Sequence, residues 1–423
     1  MEAKLHDPYK SSRLLYIIEA ALEYFIAIAV GSVYLAKITQ EIGIPDSVTG
    51  ILTSFVSLGC GFQIIALFIA HKKPVKKWVS VFHVISQLLF SAMYFVPLLP
   101  ISRAAQTVLL IVALLLAHIL HNAIHSPKIN WYMSLVDEDK RGRFTANKEI
   151  VSLLGGMVFS FSLGQIMDNF TEKGKLNTGF IICGVMLLFL TGLHTLTLVL
   201  AKEKPSKKGE GFKLSDITSL FKDKTVLKVI FVFILWNIAS YITTPFMGAY
   251  QLNDLGFTTE YSSIIIIVGS LARAVLSRPI GKFADKFSFC KMLYICFGIE
   301  AIAFLTSSFI APSNGGYMYF VYYILYSVGF AGINSSIINL IYDYVDDDRR
   351  TNALALVNAA SGFVGFFATL AVSPLVAAIQ KNGNKIFGIN LYAQQLLSMI
   401  SIVFVLLIIV YLVFVISKLK RNR

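Results

Sequence analysis

The sequence predicts an all-α membrane protein of twelve transmembrane helices in two related halves. Three observations carry this: long apolar runs, a one-sided distribution of basic residues, and a match between the halves at one fixed offset. About a dozen apolar stretches near twenty residues long make up most of the 423 residues, and about twenty helical residues cross a hydrocarbon core. Only helices and closed barrels satisfy their backbone there, and barrel strands would be about ten residues long with strict alternation. Continuous runs such as Ile181–Leu200 and Leu397–Ile416 read as helices. In order, spans 1 to 12 fall at about 14–38, 48–70, 79–98, 106–130, 148–168, 178–201, 226–250, 260–280, 290–310, 316–342, 353–378 and 389–416.

Composition agrees. Mean hydropathy is +0.70, and only 14% of residues are charged, which excludes an ordinary soluble domain. The net charge of +13 is unevenly placed. With the N-terminus cytoplasmic, the inner loops and termini hold about 28 Lys/Arg and the outer loops about 6, the bias that orients membrane proteins. Clusters at Lys72, Lys73, Lys76 and Lys77, at Lys202–Lys228 and at Lys418–Arg423 therefore set topology and can touch anionic lipid. A nucleic-acid partner is not expected, because no basic stripe shares a soluble fold with stacking aromatics. Cys60, Cys183, Cys290 and Cys296 lie in or beside spans without a CxxC pair, so neither disulfides nor zinc are expected. The first apolar run is too long for a signal-peptide core and should remain as span 1. Both termini are then cytoplasmic in a multi-pass protein of the cell membrane.

The longest break between spans, around Lys202–Lys228, divides the chain into residues 1–201, a linker at 202–225, and residues 226–423. Asn130 to Arg141 (NWYMSLVDEDKR) lies over Asn339 to Arg350 (NLIYDYVDDDRR), and the same shift sets His125 on Asn334, Ser126 on Ser335 and Gly156 on Gly365. Repeats of this size build two bundles that rock about a midplane site. At this point the chain resembles the major facilitator superfamily (MFS). The most specific match is Gly281 to Lys286 (GKFADK) with Lys291, similar to the family's G-x-L-A-D-R-x-G-R-K loop. Val136 to Phe144 (VDEDKRGRF) is similar to the family's V-P-x-x-x-R-G-R-F loop. Trp236-Asn237 followed by Pro245-Phe246 resembles span 7 of several bacterial branches.

There are departures. Pro74 stands where the first copy of the glycine–aspartate loop would carry its aspartate, and span 4 lacks the arginine that resembles a signature of proton-driven drug exporters. The resemblance implies a cytoplasmic latch in which Gly281, Asp285 and Lys286 face Arg141, Arg143 and Lys148. Asp285 can sit at a helix N-terminus, where unpaired amides favour negative charge, or pair with a cation.

Charges inside the spans are the sharpest functional signal. Glu19 and Glu23 are four apart on span 1 and share one helix face. An acid near a helix centre costs roughly 2.5–3.5 kcal/mol on insertion, so these face a cavity or a partner. Two such carboxylates repel, so one is expected to carry a proton. On span 4, His118, His121, Asn122 and His125 recur at helical spacing, with Lys128 and Asn130 below. Because span 4 runs inward, His121 and His125 reach the depth of Glu23 and Glu19. A Glu–His network can relay protons, bind a polar solute, or ligate a divalent metal. Pro127 should disturb the helix there and free carbonyls. The alternative throughout is a structural set of pairs inside a bundle.

In the second half the polar stripes offer Asn237 and Thr244 on span 7, Tyr323 and Asn334 on span 10 and Asn358 on span 11. Arg273 on span 8 could hold a carboxylate or phosphate bidentately. Trp131 and Trp236 are candidates to meet a ligand, whereas Glu300 on span 9 reads as a packing residue. Glu23, His118, Asn237 and Asn334 are expected to share one cavity.

No GxxxxGK[ST] loop is present, so the energy source is not expected to be ATP. The combined expectation is a secondary transporter of a small polar organic solute, working by alternating access and coupled to protons. It should act as a monomer among membrane lipids, without cofactor or resident metal, and not as an enzyme. A divalent-metal transporter, a multidrug exporter, a membrane-embedded metal enzyme and a non-transporting sensor are the competing readings.

Overall fold

Apolar runs that must satisfy every peptide group internally have become helices in the computed structural model, which describes residues 7–65, 74–137, 140–204, 220–346, 349–386 and 388–419. The helices are α1 (Lys10–Ala29), α2 (Ser32–Ile42), α3 (Asp46–Thr53), α4 (Phe55–Gly61), α5 (Val75–Ala92), α6 (Arg103–Met133) and α7 (Arg141–Glu172). They continue as α8 (Leu176–Leu200), α9 (Lys224–Thr243), α10 (Thr259–Lys286), α11 (Phe289–Ser307), α12 (Gly315–Tyr344), α13 (Arg350–Lys381) and α14 (Ala393–Phe414). Ser102, Asp223, Thr258 and Ser288 cap α6, α9, α10 and α11 by accepting from first-turn amides. Among the described residues, ten helices are long and apolar enough to cross a membrane, and α1 with α2 forms an eleventh span.

The departures from the expected spans have local causes. Span 1 is broken: α1 ends at Ala29, Gly31 is extended, and α2 starts at Ser32. Span 2 is interrupted at Ser54, and its end lies outside the described residues, as do Lys72, Lys73 and most of the 202–225 linker. The last span begins at Ala393, because Lys385–Ile386 and Ile389–Asn390 pair as a short antiparallel hairpin (β1, β2). Pro127 does not break its helix; α6 runs unbroken from Arg103 to Met133. Pro245 does act, turning the end of α9 into a 3-10 turn, one α-helical turn and a π-helix at Tyr250–Asp254.

The duplication is visible in the backbone. Helices α7 and α13 are both 32 residues long and start 209 residues apart, at Arg141 and Arg350. Their N-cap residues have nearly the same dihedrals, φ −105°, ψ −7° at Lys140 and φ −104°, ψ −9° at Arg349. The turn before each closes with the same bond, Lys140 N–H to Asp137 O and Arg349 N–H to Asp346 O, both 3.0 Å.

By contacts the chain forms two units. The first holds residues 1–30 and 62–212. In it α1 packs on α7 and α8, and α5 packs on α6 and α8. One end is closed by Tyr16 stacked on Tyr132 at 4.2 Å, with Trp131 stacked on Tyr132 at 4.4 Å. Outside the helix ends, Arg13 pairs with Asp7 and holds that carboxyl below its usual range.

The second unit holds residues 31–61 and 213–423. Here α3 and α4 lie along α13 so closely that Gly362 meets backbone, and Ser57 Oγ donates to Gly362 O at 2.9 Å. Ser373 Oγ reaches Ser47 O at 2.8 Å, and Asp46 accepts from Asn253 at 2.6 Å and Gln380 at 2.7 Å. Large apolar side chains left exposed, including Val108, Val158, Val275 and Phe414, suit a lipid surface.

Candidate functional site

Four helices of the first unit bring their polar stripes together. Glu19 and Glu23 project from one face of α1, and Lys128 comes from α6, three residues beyond His125 on the histidine-bearing helix. Lys128 Nζ donates to Glu19 Oε1 at 2.8 Å and also to Glu23 Oε2. The two acids are thus bridged by an ammonium rather than left to repel, which corrects the expectation built on repulsion alone. His121 Nε2 lies 3.2 Å from Glu23 Oε1, and the ligand atoms of Glu23, His121 and His125 fall within 4.8 Å of one another.

Two further histidines close the cluster. His194 from α8 sets Nε2 3.0 Å from Glu19 Oε1, and His83 from α5 sets Nε2 3.0 Å from His194 Nε2. Glu19, His83 and His194 are sealed from solvent, whereas the Glu23 and His121 side chains remain 16% and 21% exposed. Among the described residues, Glu19 Oε2 and the Nδ1 atoms of His83, His121 and His194 are buried without a hydrogen-bond partner.

Sequence reasoning missed His83 and His194 because each is the sole histidine of its span. A signal was nonetheless present. Ser80, His83, Gln87 and Ser91 form a stripe on α5, and Thr191, His194 and Thr197 another on α8. The two stripes meet, since Ser91 Oγ and Thr191 Oγ1 also share a hydrogen bond at 3.1 Å.

The donor types would suit a divalent transition metal: Glu19, Glu23, His83 and His194 each place one ligand atom within 4.8 Å of the others. Lys128 already supplies the positive charge between the acids, so an ion would have to displace it.

The remaining expected residues of this unit are placed differently. His118 is buried with its ring edge-on to Phe90 at 4.9 Å, and its carbonyl accepts from Asn122. Asn130 is exposed, and Trp131 spends its indole N–H on Lys202 O at 3.0 Å, a packing contact at the helix end. Arg141 and Arg143 are exposed at the start of α7, and Lys148 Nζ stands over the Tyr16 ring at 5.3 Å.

In the second unit, Asn237 and Thr244 bond back to their own helix, at Phe233 O and Ser240 O. Trp236 is buried edge-on to Phe297. Arg273 lies over Phe330 at 5.9 Å, Tyr323 stacks on Tyr319, Asn358 is half-buried and Asn334 exposed. Glu300 is fully buried, with both carboxyl oxygens unpartnered among the described residues.

The glycine–aspartate motif is not a loop. Gly281 to Lys286 form the last turns of α10, and the next helix is capped by Ser288. Asp285 therefore sits near a helix C-terminus, which removes the N-terminal placement considered for it, and its side chain lies outside the described residues. Lys286 Nζ lies over the Phe287 ring at 5.4 Å.

The model of the Major Facilitator Superfamily matches residues 15–369. The chain belongs to that superfamily. It is a multi-pass membrane transporter with the twelve-helix fold of its family. The fold is shared with solved structures of low identity. The nucleoside transporter NupG superposes with a TM-score of 0.70 at 14% identity, covering 97% of this chain and 100% of that one. A D-xylose-proton symporter gives 0.70 at 15%, covering 94% and 96%. A bacterial metal transporter gives 0.66 at 13%, covering 97% and 99%. Among curated proteins, none matches the sequence significantly.

Proposed function

We propose that this transporter moves a small polar organic solute by alternating access, coupled to protons through Glu19, Glu23 and the histidines of α6. One observation carries the reading: two carboxylates, a lysine and four imidazoles meet inside a membrane bundle, with Glu23, His121 and His125 partly open. Such groups are costly in a membrane and mark ion or substrate pathways. Symport with protons is named for the D-xylose transporter, and the similar structures are named for nucleosides, D-xylose, peptides and a metal. In this reading the protein acts in the cell membrane as a monomer, and the distribution of basic residues supports cytoplasmic termini.

A divalent-metal substrate is the second reading, supported by the ligand set around Glu19 and by the likeness to a metal transporter. Proteoliposomes with an imposed pH gradient and a panel of sugars, nucleosides and divalent ions separate the two. Proton-driven uptake of an organic solute, lost in Glu23→Gln, supports the first. Uptake with unchanged pH dependence in both Glu19→Gln and Glu23→Gln makes these acids structural and refutes it.

A further inference from the structure

The partly open side of the cluster is built differently from its sealed side. His121 and His125 stand four apart on α6, so both rings leave one face of the helix, the spacing that pairs of zinc-binding histidines use. Glu23 meets them from α1, and its two oxygens are used separately. Oε2 accepts from Lys128, whereas Oε1 lies 3.2 Å from His121 Nε2. His125 completes the group, with all three ligand atoms within 4.8 Å of one another.

Zinc chemistry fits these distances. Two ligand atoms held about 2.0–2.1 Å from one tetrahedral ion lie roughly 3.3 Å apart. The Glu23–His121 pair is already at that separation. His125 has to come in by at most about 1.5 Å, a side-chain rotation of a partly exposed ring. Ligation through Nε2 moves the His121 ring proton to Nδ1, which has no partner among the described residues, so no hydrogen bond is lost at that atom. Charge favours the same place. When ionised, Glu19 and Glu23 outnumber Lys128 by one negative charge, which draws a cation to the oxygen that Lys128 leaves free. An ion among the sealed Glu19, His83 and His194 would have to displace Lys128, whereas an ion on Glu23 Oε1 leaves Lys128 where it is.

We propose that Glu23 Oε1, His121 and His125 bind a divalent ion of the zinc class, with a water as fourth ligand on the partly exposed side and Lys128 still bridging Glu19 and Glu23. Three protein ligands and one open position suit an exchangeable ion better than a closed structural site with four. The ion covers the partly open members of the cluster, so zinc inhibits uptake rather than serving as cargo. The site stands on geometry alone, and the inhibition rests on the proton-coupled reading.

The test uses the full-length protein, free of affinity tags and stripped with a chelator, in lipid nanodiscs at neutral pH. Calorimetry and elemental analysis measure zinc binding. Cobalt(II), whose visible absorption marks tetrahedral coordination, reports the geometry. The expected result is one bound equivalent with a tetrahedral cobalt spectrum. Glu23→Gln, His121→Gln and His125→Gln should each weaken binding at least about tenfold, and His118→Gln and His194→Gln should not. Wild-type protein that binds no zinc, or gives only an octahedral cobalt spectrum, overturns the site, which keeps it falsifiable where a variant does not fold. So does binding that is lost in His194→Gln but kept in His125→Gln, because the ion then sits at Glu19. Uptake in proteoliposomes is scored separately. Bound zinc that leaves proton-driven uptake unchanged refutes coupling through Glu23 while the site stands, whereas zinc carried into the vesicles is cargo and overturns the inhibitory role.

Discussion

Replacing Lys128 by methionine keeps most of the stem volume and removes the one ammonium between Glu19 and Glu23. Lys128 is 2% exposed and Glu19 fully buried, so water cannot take its place at Glu19. Removing one partner of a buried ion pair costs about 3–5 kcal/mol, because the other charge is left uncompensated. Glu23 is partly open and contributes less, so the expectation stays within that range rather than doubling it. At about 1.4 kcal/mol per factor of ten, the folding equilibrium should fall by two to four powers of ten. Unfolding in mixed micelles by added SDS, followed by tryptophan fluorescence, measures this. Two companions sharpen it. Glu23→Gln in the Lys128→Met background removes an orphaned charge and should recover about 1–2 kcal/mol, the scale of coupling between contacting groups. Lys148→Met removes a cation from the Tyr16 ring and should cost only about 0.5–1 kcal/mol. A Lys128→Met protein as stable as wild type, or a second change that recovers nothing, would refute the bridged-carboxylate account.

Three other perturbations follow from the second unit. A Cβ at Gly362 would lie 2.5 Å from Gly61 N and Ser57 O, so Gly362→Ala should destabilise by about 1–3 kcal/mol through overpacking against backbone; an unchanged thermal midpoint would show that α4 and α13 separate freely. Asp46→Ala strands the donors of Asn253 and Gln380, at about 1–3 kcal/mol, and a cysteine at Ser47 should then label faster with a thiol reagent. Among the described residues Glu300 has no partner for either oxygen, so Glu300→Met should be neutral or stabilise by about 1–3 kcal/mol in a thermal-shift measurement. A clear loss of stability there would reveal a partner for Glu300.

The sequence by itself determined the membrane class, the approximate place of most spans and the duplication, because bilayer thickness sets helix length and a repeat preserves its offset. The 209-residue shift read between Asn130 and Asn339 reappears in the starts of α7 and α13. The shared faces of Glu19 with Glu23 and of His121 with His125 were also legible, since a helix sets neighbours four apart by local geometry. What lies across the gap was not. Lys128, His83 and His194 meet the acids only because α5, α6 and α8 turn particular faces toward α1. An apolar helix surface packs against lipid or another helix with little difference in its sequence. The break at Gly31 and the helical course of Gly281 to Lys286 were hidden for a related reason: glycine permits a bend or a helix, and the packing around it decides which. Local spacing thus named the carboxylates, while helix rotation, which only the folded bundle sets, chose the lysine and imidazoles that answer them.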